Sequence, residues 1–191
     1  VPKAVPEEIK KKLNATIVEA VFSPEINKRL VDEFLAFARG DAQEETGLVD
    51  PADLVAQMVA KTARSGLALS LGPCKGQGQV RIRPQAVARA LDNLIGNALR
   101  YGTQARLSFA LTERSLRFVV EDNGPGIPAA RREEAMRPFT RLDAARDPNH
   151  GGGVGLGLSI AADIARSHGG ALRLGQSGDL GGLMAELVLA R

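Results

Sequence analysis

The chain has 191 residues, 44% hydrophobic and 25% charged, which fits one soluble domain with an appendage or two small domains. It has no run of about 18 apolar residues and no short apolar core near residue 1, so we expect no membrane contact, no secretory leader and a cytoplasmic location. One cysteine and two histidines exclude an internal disulfide and metal sites built on Cys and His. A net charge of +3 with one Tyr and no Trp argues against nucleic-acid binding and favours an anionic small ligand.

Two helices are predicted in the first 40 residues. Residues 6–22 have apolar positions at helical spacing, and Ser23-Pro24 supplies an N-cap and a first-turn proline for a second helix that ends at Gly40. The apolar stripe of this second helix, residues 26–37, is too broad for a free surface helix and predicts a partner helix or a homodimer. We place a junction in the acidic residues 41–46, which divides the chain into a helical segment, residues 1–45, and a larger domain, residues 46–191.

The larger domain alternates helices and strands. Asp50, Pro51 and Asp53 supply an N-cap, a first-turn proline and an early acid for a helix that reaches about Arg64, before Gly66. The other predicted elements are strands at 48–49, 67–71 and 80–83, a helix at 84–101, a hairpin with strands at 106–111 and 116–122, a helix at about 156–167, and strands at 171–175 and 183–189. Residues 124–155 are rich in Gly, Pro and Arg and predict a long loop, which inside a compact domain is usually functional.

The predicted helix at 84–101 has a polar strip beside its apolar face, composed of Asn93, Asn97, Arg100 and Tyr101. An amide oxygen at the border of the core can coordinate a hard cation such as Mg²⁺, which takes its other ligands from water and substrate phosphates. Arg100 can contact the same phosphates. The alternative is that both asparagines are ordinary helix-surface residues.

Asp122 ends the second hairpin strand on the side occupied by Leu116, Phe118 and Val120. Its carboxylate therefore faces the core and needs a hydrogen-bond donor. The amino group of adenine would supply one, whereas the carbonyl of guanine would be repelled, so the strand pattern favours ATP over GTP. The alternative is that Asp122 forms an Asx turn leading into Asn123-Gly124.

Two glycine segments follow the hairpin. Gly124 and Gly126 can adopt backbone angles closed to other residues and can let a ligand approach closely. Residues 153–158 precede a predicted helix, so backbone N–H groups near Leu156 and Gly157 can accept a phosphate, with help from the helix dipole. The segment lacks the lysine of a phosphate-binding P-loop and the flanking pattern of a dinucleotide fingerprint. A flexible linker is the alternative, which the following helix pattern disfavours.

In this order, the motifs resemble the ATP-binding catalytic domain of bacterial sensor histidine kinases, a member of the ATPase superfamily shared with DNA gyrase and MutL. The resemblance covers about residues 48–191. The matching segments are residues 93–101 as the N box, 122–126 as the first glycine box, Pro138-Phe139-Thr140-Arg141 as the phenylalanine box, 153–158 as the second glycine box and Gly181-Gly182 as the last glycine-rich turn.

The resemblance implies a role for individual residues. Asn97 would ligate Mg²⁺, Asp122 would bind the adenine amino group and Arg141 would approach the γ-phosphate, so Asn97 and Arg141 are the candidate catalytic residues. Asn93, Arg100 and Tyr101 would line the triphosphate and metal region. The remaining residues implied in ATP binding are Gly124, Gly126, Ile127, Gly153, Val154, Gly155, Leu156, Gly157 and Leu158. The loop at about 124–155 would be the ATP lid, in which Val154 stands where a small hydroxyl residue is frequent.

The chain departs from these kinases at the phosphoacceptor. Their histidine lies on the first helix of a dimerising hairpin, but residues 6–22 contain no histidine, although residues 27–39 resemble the second helix of that hairpin. His150 falls in the lid and His168 at a helix end, and we expect neither to be phosphorylated. The sequence therefore predicts ATP machinery without its own acceptor.

These observations predict an α+β, two-layer sandwich with a mixed sheet covered by helices, preceded by the helical segment. The implied function is ATP- and Mg²⁺-dependent phosphorylation of a protein histidine supplied outside the chain, with a histidine-bearing hairpin and a response regulator as partners. The resemblance also implies that the chain is the cytoplasmic part of a membrane-bound sensor. One alternative is a non-catalytic, ATP-responsive interaction module. Another is a serine-directed anti-sigma-factor kinase, which Gly96 disfavours because those relatives are expected to have an acid there.

Overall fold

A computed structural model describes residues 44–140, 142 and 155–191. The predicted helices at 6–22 and 23–40, with their proposed dimer stripe, lie outside the described residues, as does most of the second half of the predicted lid. Within the described ranges, no helix has the length and apolar character that a membrane span requires.

The described elements follow the predicted order closely. They are β1 (Gly47–Val49), α1 (Pro51–Arg64), β2 (Leu69–Lys75), β3 (Val80–Ile82), α2 (Pro84–Tyr101), β4 (Ala105–Leu111), β5 (Ser115–Asp122), a 3-10 turn (Ala129–Arg131) that continues into α3 (Arg132–Ala135), α4 (Gly157–Ser167), β6 (Ala171–Gln176) and β7 (Leu183–Ala190). The predicted start of α1 is confirmed, because the Asp50 carboxylate accepts a 2.8 Å hydrogen bond from the N–H of Ala52.

Five strands form a mixed sheet in the order β2-β4-β5-β7-β6. β2 is parallel to β4, and every other pair is antiparallel. β1 and β3 form a separate two-stranded antiparallel sheet. The predicted hairpin is confirmed as β4 and β5, with the N–H of Thr112 donating to Ser115 O at 2.9 Å across the turn.

Helices cover one face of this sheet. α1 packs on β2 and β4, α2 on β4 and β5, and α4 on β6 and β7. Leu116 and Phe118 of β5 are fully buried beneath them, and burial of side chains of this size stabilises the fold by roughly 1.5–3 kcal/mol each. The mixed sheet with helices on one face confirms the predicted fold class.

β2 differs most from its prediction. It begins at Leu69 instead of residue 67 and continues past Gly72 and Pro73 to Lys75. The register with β4 shifts between Leu71 and Cys74, and Pro73 lies inside this irregularity, so its missing N–H interrupts no regular ladder. An edge strand tolerates this arrangement because only one of its sides is paired.

The N-terminus of α2 is capped by side chains that are distant in sequence. Its own N-cap residue, Arg83, makes no side-chain capping bond to the helix. The Glu44 carboxylate accepts hydrogen bonds from the N–H groups of Gln85 and Ala86, at 2.7 and 2.9 Å, and Nε2 of His168 accepts one from the N–H of Arg83 at 3.1 Å. These contacts satisfy amides that a helix start leaves unpaired and fix the position of α2.

Candidate functional site

The polar strip of α2 faces the start of α4. Asn93 and Asn97 are half-buried, and a Cβ atom added to Gly157 would lie 3.5 Å from Asn93 Oδ1 and 3.5 Å from Asn97 Nδ2. Neither amide forms a side-chain hydrogen bond with another described residue. The structure therefore brings together the asparagine pair and the second glycine segment and leaves both amides available to a ligand.

The start of α4 presents backbone donors next to these amides. The first N–H groups of an α-helix have no intrahelical partner, and at this end Leu156 uses its carbonyl, which accepts from Ile160 N–H at 2.9 Å and from Ser159 Oγ–H at 2.9 Å. Leu156 is buried and Leu158 half-buried, so the helix start is anchored in the core. The amides at Gly157 and Leu158 can therefore face an anion beside Asn93 and Asn97.

Gly155 and the phenylalanine box lie against each other. Gly155 has a φ of 81°, and a Cβ atom there would lie 2.9 Å from Thr140 O. Phe139 is the one non-glycine residue in the described ranges with a left-handed φ, 61°, and its side chain is exposed. Residues 141, 153 and 154, which include the predicted ligands Arg141, Gly153 and Val154, lie outside the described residues.

Asp122 is buried, with 4% of its surface exposed, on the core-facing side of β5. Its Oδ1 accepts hydrogen bonds from the N–H of Gly124 at 2.8 Å and from the N–H of Leu183 at 3.1 Å. The core-facing orientation is confirmed, and so is the Asx turn that stood as its alternative. In the described part of the chain no group donates to Oδ2, which remains able to accept a hydrogen bond from a ligand.

Glycines allow the backbone to close around this carboxylate. A Cβ atom at Gly182 would lie 2.3 Å from Asp122 Oδ1, and one at Gly124 would lie 2.7 Å from Tyr101 O. Gly126 has a φ of 68° and lies near Gly182. The last glycine-rich turn, which the sequence placed in the motif series without a role, therefore packs directly on Asp122.

The end of β5 is also joined to the end of α2. Asn123 Oδ1 accepts from the N–H groups of Thr103 and Gln104 at 2.8 and 2.9 Å, and its Nδ2 donates to Thr103 Oγ1 at 2.9 Å. A Cβ atom at Gly102 would meet Asn123 Oδ1 at 2.8 Å. Because α2 contains the asparagine pair and its end contacts the Asp122 strand, one helix connects both parts of the site.

Three other residues predicted to bind the nucleotide lie at the edge of the site. Arg100 and Tyr101 are exposed, with the guanidinium carbon of Arg100 5.9 Å from the centre of the Tyr101 ring. Ile127 is half-buried, and its carbonyl accepts a 3.1 Å hydrogen bond from Arg132 Nε. These positions place the side chains at the rim of the site.

His168 has a structural position at the end of α4. Its Nδ1 lies 2.8 Å from Ile164 O, and its Nε2 accepts from Arg83 N–H. Both ring nitrogens are engaged by backbone groups, so His168 joins α4 to the start of α2. His150 lies outside the described residues.

Comparison with known proteins places these features in a family. Residues 82–189 match the model of histidine kinase-, DNA gyrase B- and HSP90-like ATPases. The sensor protein RstB of Escherichia coli K12 is 37% identical over 166 residues, which cover 80% of this chain and 36% of RstB. The sensor histidine kinase CpxA of the same strain is 42% identical over 101 residues, which cover 52% of this chain and 22% of CpxA. The chain thus spans about a fifth to a third of these relatives.

Solved structures give the same result. The ATP binding domain of PrrB from Mycobacterium tuberculosis aligns with a TM-score of 0.62 and 29% identity, over 76% of this chain and 97% of that one. The histidine kinase domain of the E. coli osmosensor EnvZ aligns with a TM-score of 0.55 and 32% identity, over 78% of this chain and 92% of that one. The resemblance seen in the motifs is therefore matched by sequence identity and by fold.

Proposed function

Because the chain belongs to the family of histidine kinase-, DNA gyrase B- and HSP90-like ATPases and is homologous to the ATP-binding catalytic domain of two-component sensor histidine kinases, we propose that it binds ATP with Mg²⁺ and transfers the γ-phosphoryl group to a histidine on a separate hairpin. One observation supports this most strongly. Helix α2 contacts the second glycine segment through Asn93 and Asn97 and contacts the strand of Asp122 through its C-terminal end. A single ligand with a base at one end and phosphates at the other fits this arrangement.

Asp122 Oδ2 would accept a hydrogen bond from the amino group of adenine. Oδ1 is already occupied by two backbone N–H groups, so the carboxylate has a fixed orientation. Guanine has a carbonyl oxygen at the position of the adenine amino group, and two acceptors facing each other in a buried site repel. This arrangement favours adenine nucleotides.

Asn97 would supply an oxygen ligand to Mg²⁺, and Asn93 would lie beside it on the same helix face. The fit rests on two side-chain amides that have no hydrogen-bond partner among the described residues and that lie beside the start of α4, where the absence of a Cβ at Gly157 leaves space. Mg²⁺ accepts amide oxygen ligands and retains water and phosphate ligands, and when bound it neutralises phosphate charge. Backbone amides at the start of α4 would contact the phosphate oxygens.

In the transfer step the bond between the γ-phosphorus and the bridging oxygen of ADP breaks, and a bond to an imidazole nitrogen of the acceptor forms. The chain would contribute position and charge stabilisation, with Arg141 near the γ-phosphate, while the acceptor and any base that takes its proton come from the hairpin. Four statements stay predictions: residues 1–45 are a remnant of a dimerisation hairpin, the chain forms a homodimer, a response regulator is the next partner, and the location is cytoplasmic.

Incubation of the purified chain with labelled ATP, Mg²⁺ and a separate histidine-bearing hairpin tests the proposal. We expect acid-labile, base-stable phosphate on the hairpin and none on the chain itself. Asn97→Ala should abolish the transfer. Asp92→Asn should not, because Asp92 lies on the same helix as Asn97 but is exposed and pairs with Lys61 of α1.

Each other outcome of this experiment has a defined meaning. ATP binding without transfer to any hairpin would favour the non-catalytic, ATP-responsive module. Phosphohistidine at His150 or His168 would show that the chain contains its own acceptor. Acid-stable phosphate on a serine of the partner would favour the serine-directed kinase.

A further inference from the structure

A partly buried charged network lies beside Asp122 on the opposite face of β5. Glu121 is only 9% exposed, and its carboxylate is fully engaged. Oε1 accepts from Ser177 Oγ–H at 2.8 Å, and Oε2 accepts from Arg106 Nε and Nη2 at 3.1 and 2.7 Å. Glu121 and Arg106 are directly opposite each other on β5 and β4. The hydrogen bonds that Arg106 donates to Asp179, and next to Glu121, raise the pKa of its guanidinium.

The network holds the turn between β6 and β7, residues 177–182. Ser177 is 2% exposed, and its Oγ accepts from Leu180 N–H at 3.0 Å while it donates to Glu121. Arg106 Nη2 reaches Asp179 Oδ2 at 2.5 Å. The two ends of the turn are joined because the N–H of Ser177 donates to Gly182 O at 2.9 Å. The turn is therefore anchored to β4 and β5 by two side-chain contacts, Asp179 with Arg106 and Ser177 with Glu121.

The last residue of this turn and the first residue of β7 supply donors to Asp122. The N–H of Gly182 donates to Asp122 O at 3.0 Å, and the N–H of Leu183 donates to Asp122 Oδ1 at 3.1 Å. Glu121 and Asp122, which are adjacent on β5, thus contact the two ends of this turn from opposite faces of the strand. Glu121 binds Ser177 where the turn begins, and Asp122 binds Gly182 and Leu183 where it ends. A shift of the turn would remove the Leu183 donor from Oδ1.

We propose that Glu121, Arg106 and Ser177 are positioning residues for base selection, because they hold the turn that leads into Leu183, whose N–H occupies Asp122 Oδ1 and leaves Oδ2 as the fixed acceptor. The proposal rests on the proposed function of Asp122 in binding adenine. A carboxylate held in one orientation accepts from an amino group and repels a carbonyl group, whereas a mobile carboxylate can turn away from the carbonyl. Loss of the network should therefore reduce the preference for adenine over guanine.

The energetic cost of the network is consistent with a positioning role. Burial of a Glu-Arg pair costs desolvation, and such pairs are often no more stabilising than apolar residues of the same volume. The Arg117-Glu186 and Arg173-Glu186 contacts on the same sheet face, at 3.5 and 3.6 Å, are longer and do not involve the turn. Glu186 is thus a matched control for Glu121.

Displacement of a fluorescent ADP probe by ATP and by GTP, with Mg²⁺, tests the proposal. For Ser177→Ala and Glu121→Gln we expect ATP to bind about tenfold more weakly, the scale of a lost hydrogen bond to a charged group, with a smaller change for GTP. The ratio of the two dissociation constants should fall, while Glu186→Gln should leave it unchanged. Glu121→Gln preserves side-chain volume and decides the test if Ser177→Ala does not fold.

Two results would overturn the proposal. One is an unchanged GTP-to-ATP ratio in both variants with ATP affinity retained. The other is an equal loss of ATP and GTP affinity together with a lower melting temperature, which a purely structural role would produce. Asp122→Asn serves as the reference: if it leaves ATP affinity unchanged, the proposed function fails, and if it weakens ATP while the network variants keep the ratio, only the positioning role fails.

Discussion

The two ends of the candidate site are built differently. At the base side, formed by Asp122, Gly124 and the turn at 177–182, the chain satisfies most polar groups itself, with two amides on Asp122 Oδ1 and a closed network around Glu121. At the phosphate side, formed by Asn93, Asn97 and the start of α4, the side-chain amides make no hydrogen bond to a described residue.

This difference between the two ends suits them to different tasks, selection of the base and binding of the charged phosphates. A rigid acceptor distinguishes one base from another, because reorientation would relieve the repulsion on which the discrimination depends. Open donors and amide oxygens instead suit a charged group whose own shape varies through a reaction, as the proposed Mg²⁺-bound triphosphate would. If this comparison is correct, changes that displace the turn at the base side should affect both folding and selectivity, and changes at the phosphate side should affect nucleotide binding alone.

The largest effect is expected for Gly182→Ala. The added Cβ would lie 2.3 Å from Asp122 Oδ1 and 2.6 Å from Gly124 N, so the turn or the strand end must move. Overpacking of this kind costs about 1–3 kcal/mol of unfolding free energy, and ATP affinity should fall with it. Urea unfolding and calorimetry measure both. Gly178→Ala, where a Cβ would meet no atom within 4 Å, is the matched control and should be neutral.

Asp122→Asn should weaken binding with little loss of stability. An asparagine can keep Oδ1 as acceptor for the two amides, but its NH₂ group replaces Oδ2 and faces the adenine amino group with a donor. We expect a loss of more than about 1 kcal/mol in ATP binding free energy. Calorimetry with ATP, ADP and GTP measures it, with Asp92→Asn as the control. If the unchanged protein bound GTP as tightly as ATP, the assignment of Asp122 to base selection would be wrong.

Asn97→Ala should affect the phosphate side selectively. Its amide has no described hydrogen-bond partner, so the folded state loses little, but the Mg²⁺-dependent part of ATP binding should weaken by about 1 kcal/mol. Titrations of ATP with and without Mg²⁺ separate the two parts. Gln57→Ala on the exposed face of α1 is the control amide. A loss that is the same without Mg²⁺ would argue against Asn97 as a metal ligand.

Local sequence patterns predicted the helix and the strand on which the site is built. Pro84 and the apolar periodicity predicted α2 with its observed ends, and the alternation in β5 placed Asp122 on the core-facing side. The network around Glu121 was not predicted, because Ser177 lies 56 residues away and each residue alone resembles a surface polar position. The roles of Arg141, Gly153 and Val154 stay predictions.

The smallest effect is expected at Glu44, which tests how α2, and with it the phosphate side, is held. Glu44 supplies the cap that Arg83 does not, through two hydrogen bonds 41 and 42 residues away in sequence. Loss of a helix cap costs about 0.5–2 kcal/mol, and the exposed Gln85 bond places Glu44→Ala toward the lower end. Thermal and urea unfolding should show this loss, with a smaller one for Glu44→Gln, which keeps one acceptor oxygen. Glu45→Ala, the exposed neighbouring acid, should be neutral. The contrary result would be that Glu44→Ala weakens ATP binding without a change in stability. The cap would then act on the orientation of Asn93 and Asn97 rather than on folding. In that case the phosphate side would depend on its surroundings more than the comparison requires.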